Sequence, residues 1–251
     1  MSTPPDVRII DDTDPGTEGR EFLPGMGKSW LTPFFDVTVR MLGMRRRYAR
    51  TVELAGIRDG ESVLDVGCGT GSLLLAVLDV APGAVVTGLD PDVQALELAA
   101  RKLRRARRKG TLVRGFADRL PADDGTVDHV ISSMALHHVP DDERPVFARE
   151  VARVLRPGGK VTILDLGGDH ADAGHGDAHH GGAGHGGGLA HLWNHLTAPL
   201  RRRSATSRVV VANLDDGIPR LLTDAGLENA REIAHEDWSM GRLTYVQATA
   251  K

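Results

Sequence analysis

From about position 62 to position 166 the chain alternates short apolar runs with longer amphipathic stretches. Ser62–Val66, Ala84–Leu89, Thr111–Gly115, Val127–Ser133 and Lys160–Leu166 read as strands. Between them Thr70–Val80, Asp92–Lys109 and Asp141–Leu155 carry a helical period, and Arg156-Pro-Gly-Gly159 marks a turn. Short apolar strands joined by helices require crossover connections, so the pattern predicts a parallel sheet covered on both faces. The right-handed crossover rule then leaves an open, doubly wound α/β sheet of Rossmann-like form. Upstream, Trp30, Leu31, Phe34, Phe35, Val37, Met41 and Leu42 form one helical face, and Arg45–Ile57 reads as a second, basic helix ending at Gly56. Downstream, Leu189–Leu200 and Asp215–Ala225 read as helices, and Glu228–Ala234 with Leu243–Thr249 as a terminal antiparallel hairpin.

Two segments fall outside the pattern. Residues 1–28 are rich in Pro, Gly, Asp and Glu without a sustained period, which predicts a mobile acidic arm. Residues 167–188 are mostly Gly, His, Ala and Asp; they cannot bury a core and read as a flexible loop inserted in the domain. The expected organisation is therefore the arm followed by one domain over 29–251, with 29–57 as its leading helices. Composition narrows the setting. A net charge of −3 argues neither for nor against a polyanionic partner, and a single cysteine, Cys68, rules out an intramolecular disulfide. No signal-like segment opens the chain, and no apolar run reaches the ~20 residues that span a bilayer, so a cytoplasmic location is expected.

The chemistry gathers at the carboxyl ends of the predicted strands, where open α/β sheets bind ligands. The first strand runs into Asp65-Val-Gly-Cys-Gly-Thr-Gly71. Glycines at 67, 69 and 71 let a ligand approach the backbone, and the following helix would aim unpaired N–H groups at it. Asp65 adds an acceptor for a cationic group. Asp90 ends the second strand, about 20 residues further on, where a carboxylate can accept two ribose hydroxyls. The alternative for Asp90 is the N-cap of the helix that follows. Gly115-Phe-Ala-Asp118 follows the third strand and Ser132-Ser-Met-Ala-Leu-His-His138 the fourth. A dinucleotide fingerprint would be Gly-x-Gly-x-x-Gly. Here the spacing is Gly-x-Gly-x-Gly behind a carboxylate that would repel a pyrophosphate.

Val-Leu-Asp-Val-Gly-Cys-Gly-Thr-Gly, Gly-Leu-Asp-Pro-Asp, Leu-Pro-Ala-Asp-Asp-Gly-Thr-Val-Asp, Ala-Leu-His-His-Val-Pro-Asp and Val-Leu-Arg-Pro-Gly-Gly-Lys jointly resemble class I S-adenosylmethionine-dependent methyltransferases. Within that class they resemble the methyltransferase-11, ubiquinone/menaquinone-biosynthesis-like branch, over about residues 55–170. The resemblance implies a mostly parallel seven-stranded sheet with an antiparallel C-terminal strand, which Leu243–Thr249 fits. It implies S-adenosyl-L-methionine as cofactor and S-adenosyl-L-homocysteine as product. Asp65 and the backbone at Gly67, Cys68 and Gly69 would hold the methionine end. Asp90 would bind the ribose, Ala117 would offer its N–H to adenine, and Ser133 would lie near the sulfonium. Gly71 and Pro91 complete the implied set. One departure stands out: Phe116 occupies a place where the family often has Asp, so it can only lie against the base, and Asp118 is the substitute acceptor.

Methyl transfer needs a base only where the acceptor must lose a proton. His137 and His138 are the candidates by their ordinary titration range, with His137 first; the alternative is a structural role at the start of the next helix. Asp165, ending the fifth strand, is a candidate to orient an acceptor. Cys68 lacks a partner histidine in the sequence and reads as structural. Arg101–Lys109 carries seven cations in nine positions. It reads as a solvated helix face rather than a nucleic-acid patch. His170, His175, His179, His180 and His185 could bind transition metals weakly, but a lid over the acceptor pocket is the favoured reading and no metal site is assigned. The reading is transfer to a small hydrophobic or aromatic acceptor, in a pocket formed by the Trp30–Leu42 helix, the Ser133–His138 segment and the loop after the fifth strand. An RNA or protein methyltransferase using the basic helices, and a non-catalytic cofactor- or metal-binding regulator, are the rivals. The oligomeric state stays open, a homodimer included.

Overall fold

The computed structural model describes residues 6–13, 43–167, 213, 217–238 and 241–251. Its elements are β1 (Val7–Asp11), α1 (Met44–Ala55), β2 (Ser62–Val66), α2 (Ser72–Val80), β3 (Val85–Asp90), α3 (Val93–Arg105), β4 (Gly110–Arg114), β5 (Val127–Ser133), a 3-10 turn at Leu136–His138, α4 (Arg144–Val154), β6 (Leu155–Gly167), α5 (Gly217–Asp224), β7 (Glu228–Trp238) and β8 (Gly241–Thr249). All eight strands form one sheet in the order β1-β4-β3-β2-β5-β6-β8-β7. Pairing is parallel from β1 through β6 and antiparallel at β6–β8 and β8–β7. The direction of winding reverses between β2 and β5. That switch point opens a crevice at the carboxyl ends of the strands.

Strand alternation separates two cores. Val63, Val86, Leu112 and Ile131 face α1, α2 and α3. Leu64, Val66, Leu89, Val113 and Val130 face α4 and α5. On α4 the buried residues Phe147, Val151 and Val154 recur at i, i+4 and i+7, one helical stripe. By the same alternation Asp65, Asp90 and Ser133 sit on the α1–α3 side of their strands and Asp165 on the α4 side. A third cluster, Met44, Leu164, Leu243 and Tyr245, docks the start of α1 on β6 and β8.

The sheet has eight strands, not the seven expected, because part of the predicted acidic arm is structured. β1 pairs in parallel with β4, Val7 opposite Gly110 through Asp11 opposite Arg114. Val7 is buried in the α1–α3 core, Arg104 donates to its carbonyl at 3.0 Å, and Asp11 pairs with Arg114 at 3.0 Å. Beyond Val7 the strand is exposed, Ile9 and Ile10 by 42% and 46%, so no inside–outside period existed for the sequence to display. The mobile-arm reading is thus corrected at residues 7–11. β6 also starts five residues earlier than expected, running through the Arg156–Gly159 turn. The Trp30–Leu42 helix, the His-rich loop beyond Gly167 and the Leu189–Leu200 helix lie outside the described residues.

Candidate active site

β2 delivers Asp65 to the mouth of the crevice and the chain then turns through the glycine loop. Asp65 is 1% exposed, and among the described residues neither of its carboxylate oxygens has a hydrogen-bond partner. Burial, and then the charge of Asp90, raise its pKa well above the ordinary carboxylate value. An ionisable group left this way costs stability unless something fills the gap, and the filler must be a cation or a donor.

The loop uses its own N–H groups within the fold. Gly67 N–H and Cys68 N–H both donate to Leu89 O at 2.8 and 3.0 Å, Gly69 N–H to Asp90 Oδ2 at 2.8 Å, and Gly71 N–H to Cys68 O at 2.9 Å. These N–H groups hold β2 to β3 and close the turn; they do not await an anion. What the four positions can offer a ligand is carbonyl oxygen and room. Gly67 has φ +74°, and a Cβ there would meet the Ala135 Cβ at 2.3 Å. Gly69 has φ +51°, and a Cβ there would point into open space. Cys68 packs its Sγ beside Gly88 in the α1–α3 core, and burial pushes its thiol pKa up. A buried thiol with a raised pKa is poorly suited to act as a nucleophile.

Asp90 is partly exposed and bridges two backbone donors, Gly69 N–H and, through Oδ1 at 2.9 Å, Asp92 N–H. The N-cap of α3 is Asp92, which accepts from Gln94 and Ala95 at 2.8 and 3.3 Å. A carboxylate has about four acceptor directions, so Asp90 keeps capacity for hydroxyl donors. Burial raises its pKa to about 6, against the two N–H donors that favour the anion. The charge of an ionised Asp90 in turn opposes ionisation of Asp65. Pro91 and the Phe116–Asp118 turn are half-buried beside this strand end, with Gly115 N–H on Asp90 O at 3.3 Å. β1 brackets that turn: Arg119 donates to the carbonyl and carboxylate of Asp12 at 2.7 and 2.8 Å.

Across the switch point, the Ser133 hydroxyl is buried and, among the described residues, unpartnered. Met134 then takes φ +56°, an uncommon conformation for a residue with a side chain, with its N–H on Leu164 O at 2.8 Å. The turn sets Ala135 against Gly67 and His137 against Asp165. His137 Nδ1 lies 2.7 Å from Asp165 Oδ1, and the His137 backbone N–H donates to Oδ2 at 3.3 Å. Leu166 N–H also donates to Oδ1, at 2.7 Å. Asp165 is fully buried. An ionised Asp165 can only accept, which assigns the proton of neutral His137 to Nδ1 and leaves Nε2 as the acceptor nitrogen. The His138 ring lies 4.0 Å from that of His137, and burial followed by the neighbouring imidazole lowers its pKa to about 4, so it stays neutral at neutral pH.

Sequence reasoning missed Arg144. It opens α4, is 4% exposed, and donates through Nη2 to the Asn213 side-chain oxygen. Burial lowers its pKa, opposed by Asp165 and Asp141. The available signal was its position, since a cation at a helix N-terminus opposes the helix dipole. Elsewhere the basic run is partly engaged within the fold. Lys102 binds the Thr70 and Ser72 hydroxyls at 2.8 and 3.2 Å, and Arg108 lies 3.5 Å from Asp79. Among the described residues no group of three or more His, Cys, Asp or Glu is placed to hold a metal ion, and no helix is long and apolar enough to cross a membrane.

A sheet with this strand order, its antiparallel edge and a glycine loop at the switch point define the Rossmann-like fold of S-adenosylmethionine-dependent methyltransferases. Residues 63–159 match the family profile described as "Methyltransferase domain". Among relatives, the chain is 35% identical over 126 residues to demethylmenaquinone methyltransferase of Lactobacillus johnsonii, covering 49% of this chain and 50% of that protein. It is 33% identical over 141 residues to the ubiquinone/menaquinone biosynthesis C-methyltransferase UbiE of a Geobacter species, covering 54% and 59%. The chain thus spans little more than half the length of these relatives. In fold it is similar to a SAM-dependent methyltransferase from Aquifex aeolicus, with TM-score 0.58, 18% identity, and coverage of 89% of this chain and 99% of the other. A putative S-adenosyl-L-methionine-dependent methyltransferase from Methanococcus maripaludis gives TM-score 0.60, 17% identity, and coverage of 89% and 94%.

Proposed function

We propose that the protein binds S-adenosylmethionine in the crevice between β2, β3 and β5 and transfers its methyl group to a small-molecule acceptor. The observation that carries this is Asp65: a buried carboxylate with both oxygens unpartnered among the described residues, behind a glycine loop with room above Gly69. The cofactor's ammonium supplies the cation that Asp65 lacks, and its ribose hydroxyls supply donors for the spare capacity of Asp90. The Ser133 hydroxyl is a third unfilled group on the same side of the sheet. Phe116, Ala117 and Asp118 form the edge for the base, fixed in place through Arg119 and Asp12. When bound, the cofactor supplies an electrophilic methyl group on a positive sulfur.

The residues of the chain then have two tasks. Holding the acceptor in line can lower the barrier by about 7–11 kcal/mol without acid or base. Where the acceptor must lose a proton, His137 takes it at Nε2, and Asp165 holds the ring and stabilises the imidazolium that forms. A quinol is the first acceptor to try, since relatives are named for menaquinone and ubiquinone biosynthesis. The engagement of Lys102, Arg104 and Arg108 within the fold favours a small molecule over RNA. The test is transfer from methyl-labelled cofactor to a panel of quinols, phenols, carboxylic acids, amines, thiols and RNA. Label entering a small molecule is the expected result; label entering only RNA refutes the acceptor class.

A further inference from the structure

Beside the His137–Asp165 pair lies a buried set of donors that cofactor binding does not use. The Arg144 guanidinium has three nitrogens: Nη2 donates to the Asn213 side-chain oxygen, Nη1 lies 3.8 Å from Asp141 in an ion pair, and Nε has neither. Among the described residues, neither Nε nor Nη1 has a hydrogen-bond acceptor. Asn213 is 1% exposed, and its orientation is fixed by the bond to Arg144, which turns the oxygen inward and leaves Nδ2 as an unpartnered donor. Asp165 is the buried negative charge that Arg144 feels, but both its oxygens are already engaged by His137, and one also by Leu166. The balance is one buried cation and three donor nitrogens without an acceptor. Each unmade bond costs about 1–3 kcal/mol, and an under-compensated buried charge costs more. The position at the start of α4 adds a further penalty. Among the described residues nothing supplies the missing acceptor, and a ligand that carries one would satisfy the set. The His137 turn is held against the glycine loop, since Ala135, two residues before His137, lies against Gly67.

We propose that Arg144 and Asn213 anchor the methyl acceptor by an acidic oxygen, a carboxylate or an ionised enol or phenol, placing it beside Nε2 of His137. This rests on the methyl-transfer reading above and adds the recognition element that the acceptor must carry. It also explains why a buried Arg occupies a position where an apolar residue would pack without cost.

The test is equilibrium titration of the full chain, first with S-adenosylhomocysteine and then, in its presence, with benzoate, 4-nitrophenolate and the neutral counterparts benzamide and nitrobenzene. At least one anion is expected to bind about tenfold more tightly than its neutral counterpart. Preference for benzoate assigns a carboxylate, and preference for 4-nitrophenolate assigns an enol or phenol. Arg144→Met should reduce the preference to less than about threefold with S-adenosylhomocysteine affinity unchanged, Arg144→Lys should keep part of it, and Asn213→Leu should weaken it. Thermal unfolding checks each variant; where Arg144→Met fails to fold, Arg144→Lys and Asn213→Leu decide. Equal binding of anions and neutral counterparts by the wild type, or an anion preference untouched by these substitutions, overturns the proposal. Failure of S-adenosylhomocysteine to bind would instead overturn the methyl-transfer reading, and the anion titration is then judged on the free protein by the same criterion.

Discussion

Cofactor affinity should depend on pH through the two carboxylates at the mouth of the crevice. In the free protein burial raises Asp90 from 3.8 to about 6. That difference is worth about 3 kcal/mol between its protonation states. A ligand whose hydroxyls favour the anion returns the pKa toward its ordinary value, so binding and ionisation are linked. If the return is complete, Asp90 alone makes binding about tenfold weaker at pH 5 than at pH 7, with on the order of one proton released per ligand near pH 5. Burial raises Asp65 as well, so a bound ammonium that favours its anion adds a second proton to the linkage. Unfolding measurements would hide this effect. The raised pKa of Asp90 gives stability that is present below 3.8 and lost as pH rises through about 6. The lowered pKa of His138, about 4, gives stability that is present above 6.5 and lost as pH falls through about 4. The two terms oppose each other over the same range. Calorimetric titration with S-adenosylhomocysteine at several pH values, each in two buffers of different ionisation enthalpy, separates affinity from proton release. An affinity constant between pH 5 and 8, with no proton released, would refute the linkage.

Four further outcomes follow from the geometry. Gly67→Ala should lose about 2–4 kcal/mol in chemical denaturation, because the new Cβ adds steric overlap with Ala135 to an unfavourable φ; a loss below about 1 kcal/mol would contradict the contact. Gly69→Ala should cost only about 1–2 kcal/mol of stability but weaken S-adenosylhomocysteine binding, since its Cβ enters the space above the loop; unchanged affinity would remove the ligand from that space. Cys68→Ala should lower stability by about 1 kcal/mol and retain methyl transfer, whereas lost turnover with intact cofactor binding would give the thiol a chemical role. Asp165→Asn should lower kcat by about 10²–10⁴-fold for an acceptor that loses a proton, without changing cofactor affinity; equal turnover would reduce the His137 pair to a structural one.

The strands that run through the middle of the sheet were legible because both their faces are buried. Val127–Ser133 and Ser62–Val66 have the bounds that their apolar runs suggested. β1 was not legible, for the opposite reason: only Val7 is buried, and parallel pairing to β4 leaves no trace in a short exposed run. At the site, Asp65, Asp90, Ser133 and the glycines come to one end of the sheet as their spacing implied. The direction of hydrogen bonding did not follow from spacing. The N–H groups of Gly67 and Gly69 are engaged by Leu89 and Asp90, which only the β2–β3 register reveals. The His137–Asp165 pair was visible as two separate candidates 28 positions apart, and the turn at Met134 is what joins them. Arg144 carried a sequence signal, a cation at the wrong end of a helix, but its partner Asn213 lies 69 positions away.

The central claim is that Asp65 waits for the cationic end of S-adenosylmethionine. Asp65→Asn keeps the shape of the side chain and removes its charge, and it also relieves a carboxylate whose ionisation the fold opposes. Calorimetric titration of the wild type and this variant with S-adenosylhomocysteine tests the claim most directly. The account predicts that the wild type binds, and that the variant binds about 10–100-fold more weakly while remaining at least as stable when free. Equal affinity in the two proteins, or no binding by the wild type, would contradict it.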